Sequence, residues 1–256
     1  MDELLNLQGR CAIVLGAVGN LGASIAKTLH AHGANIVFNY YKNEEEKAAA
    51  LSAALDPSGE RVLSGFCDIT DEDSVEALVR AAEEHFGRID IMVNLVHNPE
   101  FTPKNVADME WKDWNQHLVA QKGHFLICKH VLPIMRRQHF GRIIYISGGL
   151  AVRHMGGSSA FAAVKSGMHG FCKTLAIEEG PNNITVNIVA PGKITSLNTD
   201  GAFSWNDKEA ELLQKTPLRR FATQQDVADT VLYFAAPIAN SMTGQTLYVA
   251  CGEIML

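Results

Sequence analysis

Residues Leu15–Leu29 read LGAVGNLGASIAKTL. An apolar run, Cys11 to Gly16, leads into this stretch and ends on glycine, as a strand buried on both faces does. A helical pattern, Asn20 to His32, leads out of it, with Leu21, Ile25, Ala26 and Leu29 on one face. Gly16, Gly19 and Gly22 fall where the chain turns tightly and brings backbone N–H groups to a helix N-terminus. That geometry suits a dinucleotide pyrophosphate. The same glycines also serve tight strand–helix packing with no ligand at all.

Outward from this loop, strand and helix patterns alternate. The strand-like runs are Asn35 to Tyr40, Arg61 to Cys67, Ile89 to Val96, Arg142 to Ser147, Ile184 to Ala190 and Gln245 to Ala250. Between them lie helical patterns at Glu44 to Leu55, Asp71 to Phe86 (with Gly87 as its stop), Trp111 to Gln138, Ser158 to Glu179 and Gln224 to Ala235. Pro133 should bend the long fourth helix or end its regular part. Thr195 to Lys215 reads as a mobile, partly helical insertion. This order predicts an α/β, Rossmann-type, doubly wound parallel sheet of seven strands with helices on both faces. With no linker, repeat or low-complexity tract, residues 1–256 read as one domain.

The chain has 256 residues, 47% of them apolar, and a net charge of −6. That balance argues against nucleic acid or an acidic membrane surface as partner. The five cysteines include no C-x-x-C pair and read as reduced, mostly buried thiols. The acidic start MDELLNLQGR is no signal peptide, and no apolar run reaches membrane-spanning length. A cytoplasmic location is the expectation. No His/Asp/Glu spacing supports a metal site.

The glycine loop resembles the T-G-x-x-x-G-x-G pattern of the short-chain dehydrogenase/reductase family. Gly16 and Gly22 match its first and last glycines, Leu15 stands for the threonine and Asn20 for the middle glycine. Asn tolerates positive φ better than other non-glycine residues. Cys67-Asp68-Ile69 resembles the family's Asp–hydrophobic pair, Asn94-Leu95-Val96-His97 lies at its Asn-Asn-Ala-Gly, and ITVNIVAPGKI matches the stretch ending in Pro-Gly. The resemblance therefore implies a cofactor site of Gly16, Asn20, Leu21, Gly22, Tyr40, Asp68, Ile69, Asn94, Lys165, Pro191, Gly192 and Ile194, for NAD or NADP. The second strand ends Phe38-Asn39-Tyr40-Tyr41-Lys42 without a carboxylate, and Lys42 is a cation for a 2′-phosphate, which tilts the reading toward NADP. His97, where the family has glycine, crowds the nicotinamide ribose and leaves open that cofactor binding is lost.

In that family a Tyr-x-x-x-Lys pair on one helix face, a serine thirteen residues earlier and an asparagine in the long helix move the proton while nicotinamide carries hydride. Here the run is Phe161-Ala162-Ala163-Val164-Lys165. Phe161 replaces the tyrosine, Gly148 the serine and Ala120 the asparagine. Only Lys165 remains. Losing one general acid or base typically costs ~10²–10⁴ in rate, and such losses are not additive. Ser147, by strand alternation, should point away from the serine position. His97 and His154 are the candidate substitutes for acid–base work, against which stands the reading of His97, His154 and His124 as surface or packing residues. Ser158 and Ser159 suit helix N-caps.

Three functions follow from the resemblance. The first is a non-catalytic subunit paired with a homologous active chain in a heteromeric NAD(P)-dependent hydroxyacyl or alcohol dehydrogenase. Family members form tetramers, homo-oligomers included, through the long helix, the one after it and the last strand. Heteromeric members with one inactive subunit exist, some acting on hydroxyacyl-CoA. The second is an active oxidoreductase, lyase or isomerase using His97 or His154. The third is an NAD(P)-sensing regulator.

Overall fold

The computed structural model describes residues 3–97, 103–195 and 207–255. Seven strands form one parallel sheet: β1 (Cys11–Leu15), β2 (Asn35–Tyr40), β3 (Val62–Phe66), β4 (Ile91–Asn94), β5 (Gly141–Ile146), β6 (Ile184–Pro191) and β7 (Thr246–Val249). Their spatial order is 3-2-1-4-5-6-7. Strands β1, β4, β5 and β6 are buried at every position, as strands covered on both faces should be, whereas the edge strands β3 and β7 are largely half-exposed.

The helices are α1 (Asn20–Ala31), α2 (Glu45–Leu55), α3 (Glu72–Phe86), α4 (Trp111–Gln138), α5 (Ser159–Glu179), α6 (Asp207–Lys215) and α7 (Gln224–Ala235). One core layer joins the sheet to α1, α2 and α7 through Ile25, Leu29, Leu51 and Phe234. The other joins it to α3, α4 and α5 through Leu78, Ile127, Val131 and Met168. Helix α3 ends at Gly87 in the left-handed region (φ 70), where glycine carries no steric cost. Helix α4 runs unbroken through Pro133 to Gln138. Leu132, Ile134 and Met135 around the proline are buried, so packing carries the helix past the hydrogen bond the ring removes. Of the expected insertion, Asp207–Lys215 is helical, and residues 196–206 lie outside the described residues.

The chain order reverses between β1 and β4. Parallel sheets open a crevice at such a point, beyond the carboxyl ends of the strands. The opposite end is closed by a charge cluster. The buried Asp90 carboxylate accepts from the Cys11 N–H at 2.9 Å, from Arg10 at 2.8 Å and from Arg88 at 2.6 Å. Four of the five cysteines, Cys11, Cys67, Cys128 and Cys172, are buried free thiols, and Cys251 is half-buried. No described helix is long and apolar enough to cross a membrane.

Candidate functional site

A cavity of about 700 Å³ opens at the carboxyl ends of β1, β5 and β6. On one side it is walled by the glycine loop: Gly16, Asn20, Leu21 and Gly22. Gly16 has φ +87, which only glycine adopts freely. A Cβ on Gly22 would run into the Gly16 carbonyl oxygen and lie 2.6 Å from Ala17 Cα, so loop and helix meet backbone to backbone. The first N–H groups of α1 have no partner within the helix, and they end at this wall. It is a cradle suited to an anion such as a pyrophosphate.

Asn39 fixes the loop's shape. Its Oδ1 accepts the Gly16 N–H at 2.8 Å, and its Nδ2 donates to the Cys67 carbonyl at 3.3 Å. Asn39, Tyr41 and Glu44 line the cavity beyond the loop, whereas Tyr40 and Lys42 do not. Glu44 accepts the Tyr41 N–H at 2.9 Å. Lys42 instead lies over the Tyr41 ring, 5.0 Å from its centre. The expectation for this end of the site rested on the last residues of β2. The side chains that border it sit one residue either side of Tyr40 and in the turn beyond.

Asp68, Ile69 and Asn94 also lie off the cavity wall. Asp68 Oδ1 accepts the Thr70 N–H and hydroxyl at 2.8 and 2.7 Å. Burial pushes its carboxyl up, but the bonds from Thr70, with the Tyr41 hydroxyl and the Lys42 charge, together leave it below the ordinary range. Ile69 packs against α4, its Cγ1 2.9 Å from the place a Cβ on Gly123 would take. Asn94 is fully buried, its amide 3.2 Å from His124 Nδ1.

The far wall carries Gly148, Phe161 and Lys165, with Pro191, Gly192 and Ile194 beside them. A Cβ on Gly148 would meet nothing within 4 Å. The Phe161 ring meets His117 edge-on, with centres 6.0 Å apart. Ala120 is buried in α4, away from the cavity. Lys165 is 3% exposed. Its Nζ donates to the Tyr145 hydroxyl at 3.2 Å and to the Ile146 carbonyl at 3.1 Å. Burial lowers its pKa to about 8.

The histidines separate. His97 lines the cavity, its Nδ1 3.2 Å from the Leu95 carbonyl. Loss of water around the ring and the nearby Lys165 charge lower its pKa. His154 borders a second cavity of about 340 Å³, with Lys104, Met155 and Ser158. His124 is a core residue, wedged edge-on between Tyr145 and Phe171. Burial, with the Lys165 charge, drives its pKa to about 3.

Ser147 continues the alternation of β5 onto the face of Ile143 and Tyr145, and its N–H still donates to the Val189 carbonyl at 2.9 Å. Strand β5 ends at Ile146, and both Ser147 and Gly148 border the cavity. The Ser147 hydroxyl lies 2.8 Å from His169 Nε2, one turn beyond Lys165 on α5. Ser158 holds the N-cap position of α5, but its hydroxyl donates to the Met155 carbonyl at 2.5 Å rather than to the helix. Ser159 Oγ is buried without a partner.

The rim near Gly192 is tied by one carboxylate. Glu253 accepts the Lys193 N–H at 3.0 Å and pairs with Arg153. Lys193 Nζ pairs in turn with Glu209 of α6 at 2.5 Å. The segment after β5, the Pro-Gly turn, the tail and α6 are thereby joined. Among the described residues no group of three or more His, Cys, Asp or Glu side chains is placed to hold a metal ion.

Sequence reasoning missed Asn39, Glu44, Tyr145, the Ser147–His169 pair and Glu253. Asn39 carried a signal: an amide in an otherwise apolar inner strand needs partners. Tyr145 carried the same one.

Residues 16–253 match the family described as enoyl-(acyl carrier protein) reductase. The chain is 38% identical to nodulation protein G of Rhizobium sp. strain N33, over 99% of this chain and all of that one. It is 34% identical to the 3-oxoacyl-[acyl-carrier-protein] reductase FabG of Escherichia coli K12, over 98% of this chain and all of the relative. Among solved structures, a double mutant of a Serratia marcescens short-chain dehydrogenase/reductase superposes with a TM-score of 0.86 at 30% identity. That match covers 96% of this chain and 98% of the other.

Proposed function

The chain belongs to the short-chain dehydrogenase/reductase family, an oxidoreductase family, and on that premise we propose that it is a catalytically degenerate subunit. In this reading residues 1–256 form one cytoplasmic domain that assembles with a homologous, active chain in a heteromeric NAD(P)-dependent hydroxyacyl or alcohol dehydrogenase. The observation that carries the reading is the far wall of the cleft. Phe161 and Gly148 stand there with no ionisable side chain, and Ala120 is buried behind. A carbonyl oxygen placed against that wall finds no proton donor at the family's positions.

The glycine loop fits a dinucleotide, because Gly16, Asn20, Leu21 and Gly22 bring the start of α1 to the cavity wall with little side chain in the way. Gly16, Asn20, Leu21 and Gly22 would hold the pyrophosphate, with Ile194, Pro191 and Gly192 at the opposite end. When bound, NAD(P) supplies the hydride. Glu44 at the Tyr41 end weighs against a 2′-phosphate, while Lys42 stays outside the wall.

The test is isolation of the protein from its native host, followed by native mass spectrometry. The expected result is a complex with a second short-chain dehydrogenase that keeps Tyr-x-x-x-Lys. A homo-oligomer with turnover of its own overturns the reading. Such turnover would favour the active alternative, for which two observations speak: His97 borders the cleft, and Ser147 there is hydrogen-bonded to His169. His154 lies apart from it.

A further inference from the structure

Lys165 is the one member of the family's proton-transfer set that this chain keeps, and its surroundings give it another occupation. An ammonium has three protons to donate. Two of the bonds the Lys165 amine can make go to the Tyr145 hydroxyl and the Ile146 carbonyl. Both partners belong to β5, and Tyr145 is fully buried. The Tyr145 ring is fixed in turn, 4.8 Å centre to centre from His124. His124 is anchored on Asn94 at 3.2 Å. The tyrosine hydroxyl is thus presented to the lysine by a packed stack with little freedom to move. The contact survives a change of protonation. The hydroxyl accepts from an ammonium, and it can donate to the lone pair of a neutral amine.

We propose that Tyr145 is a positioning residue that holds the Lys165 amine on β5, so that a nucleotide ribose entering the cleft must compete with the Tyr145 hydroxyl for it. This rests on the cleft being a dinucleotide site and is independent of any partner subunit. The third proton is left for a ribose hydroxyl, but an amine that shifts toward the cleft to meet it loosens the two bonds already made on β5, and the net return of such an exchange is small. The kept lysine then serves the wall of the cleft more than its ligand.

Tyr145→Phe removes the hydroxyl and keeps the ring against His124. The experiment measures the dissociation constant for NADH by calorimetry. It also follows the reductive methylation of Lys165 by peptide mass spectrometry, with and without NADH. The variant is expected to bind NADH about fivefold more tightly, the value of one net hydrogen bond. Its Lys165 is expected to label faster than in the parent chain and to be protected by NADH. Lys165→Met, which does not depend on the tyrosine variant folding, is expected to leave the parent affinity within about twofold. In the Tyr145→Phe background it is expected to erase the gain. Unchanged affinity and labelling in a folded Tyr145→Phe chain overturn the proposal, as does a large loss of affinity in Lys165→Met alone. Binding by none of the chains overturns the nucleotide site itself, and the labelling rates then decide the hold of Tyr145 on Lys165 separately.

Discussion

The two walls of the cleft are built by different means. The glycine-loop wall is backbone, fitted so closely that Gly22 has no room for a methyl group. The opposite wall is side chains, and it is loose where chemistry would be done: Gly148 faces open space. A wall made of backbone is held by the whole strand–turn–helix unit. A wall made of side chains can lose one group at a time while the fold stands. The chain thus keeps the family's glycine loop while the positions of the family's tyrosine, serine and asparagine hold phenylalanine, glycine and alanine.

The strongest way to break this comparison is to restore the side-chain wall. The combination Phe161→Tyr, Gly148→Ser and Ala120→Asn is expected to raise NAD(P)-dependent turnover of the hydroxyacyl or alcohol substrates of the proposed function by ~10²–10⁴ over the parent chain. The readout is the change in nicotinamide absorbance. No gain would mean that the cleft differs from its relatives by more than those three groups.

A second test addresses the layer beneath both walls. His124 is held neutral, with its pKa lowered from 6.5 to about 3. The unfolded chain takes up a proton below pH 6.5 and the folded one does not. Stability is therefore complete above pH 6.5 and falls as pH drops from there toward 3, by about 1.4 kcal/mol per pH unit from this group. Urea unfolding at pH 7, 5.5 and 4.5 should show that slope in the parent. His124→Phe should lose it while starting lower, because the Asn94 amide is left unpaired. Equal slopes would place the acid sensitivity elsewhere.

Two glycine substitutions sharpen the contrast directly. Gly22→Ala should cost about 1–3 kcal/mol, as overpacking against backbone does, and lower the melting temperature accordingly. Gly148→Ser should change stability by no more than about 0.5 kcal/mol. Similar costs for the two would erase the distinction between the walls.

The fold was readable because its signals are local and repeated. The apolar run Cys11 to Gly16, the helical face of Leu21, Ile25 and Leu29, and the stretch before Pro191-Gly192 each name their own element. All seven strands and the order of the helices follow from such runs. The cleft was legible only in part. Gly16, Gly22, Phe161 and Lys165 are placed by pattern, and the cavity brings them together. The Ser147–His169 and Tyr145–Lys165 contacts are 22 and 20 residues apart in the chain. They depend on how α5 lies across β5, which no local pattern states. Ser147 follows the alternation of β5 onto the α5 face, but that His169 waits for it there is set by the lie of the helix and by no local pattern.

Asn39 has a consequence for the behaviour of the molecule over time. One amide joins the turn after β1 to the carbonyl just past β3, from its seat in β2. Three strand ends share a brace that belongs to the protein and not to a guest. The turn that forms the glycine-loop wall is therefore set by the protein's own groups, so that its shape does not wait on a ligand to be ordered.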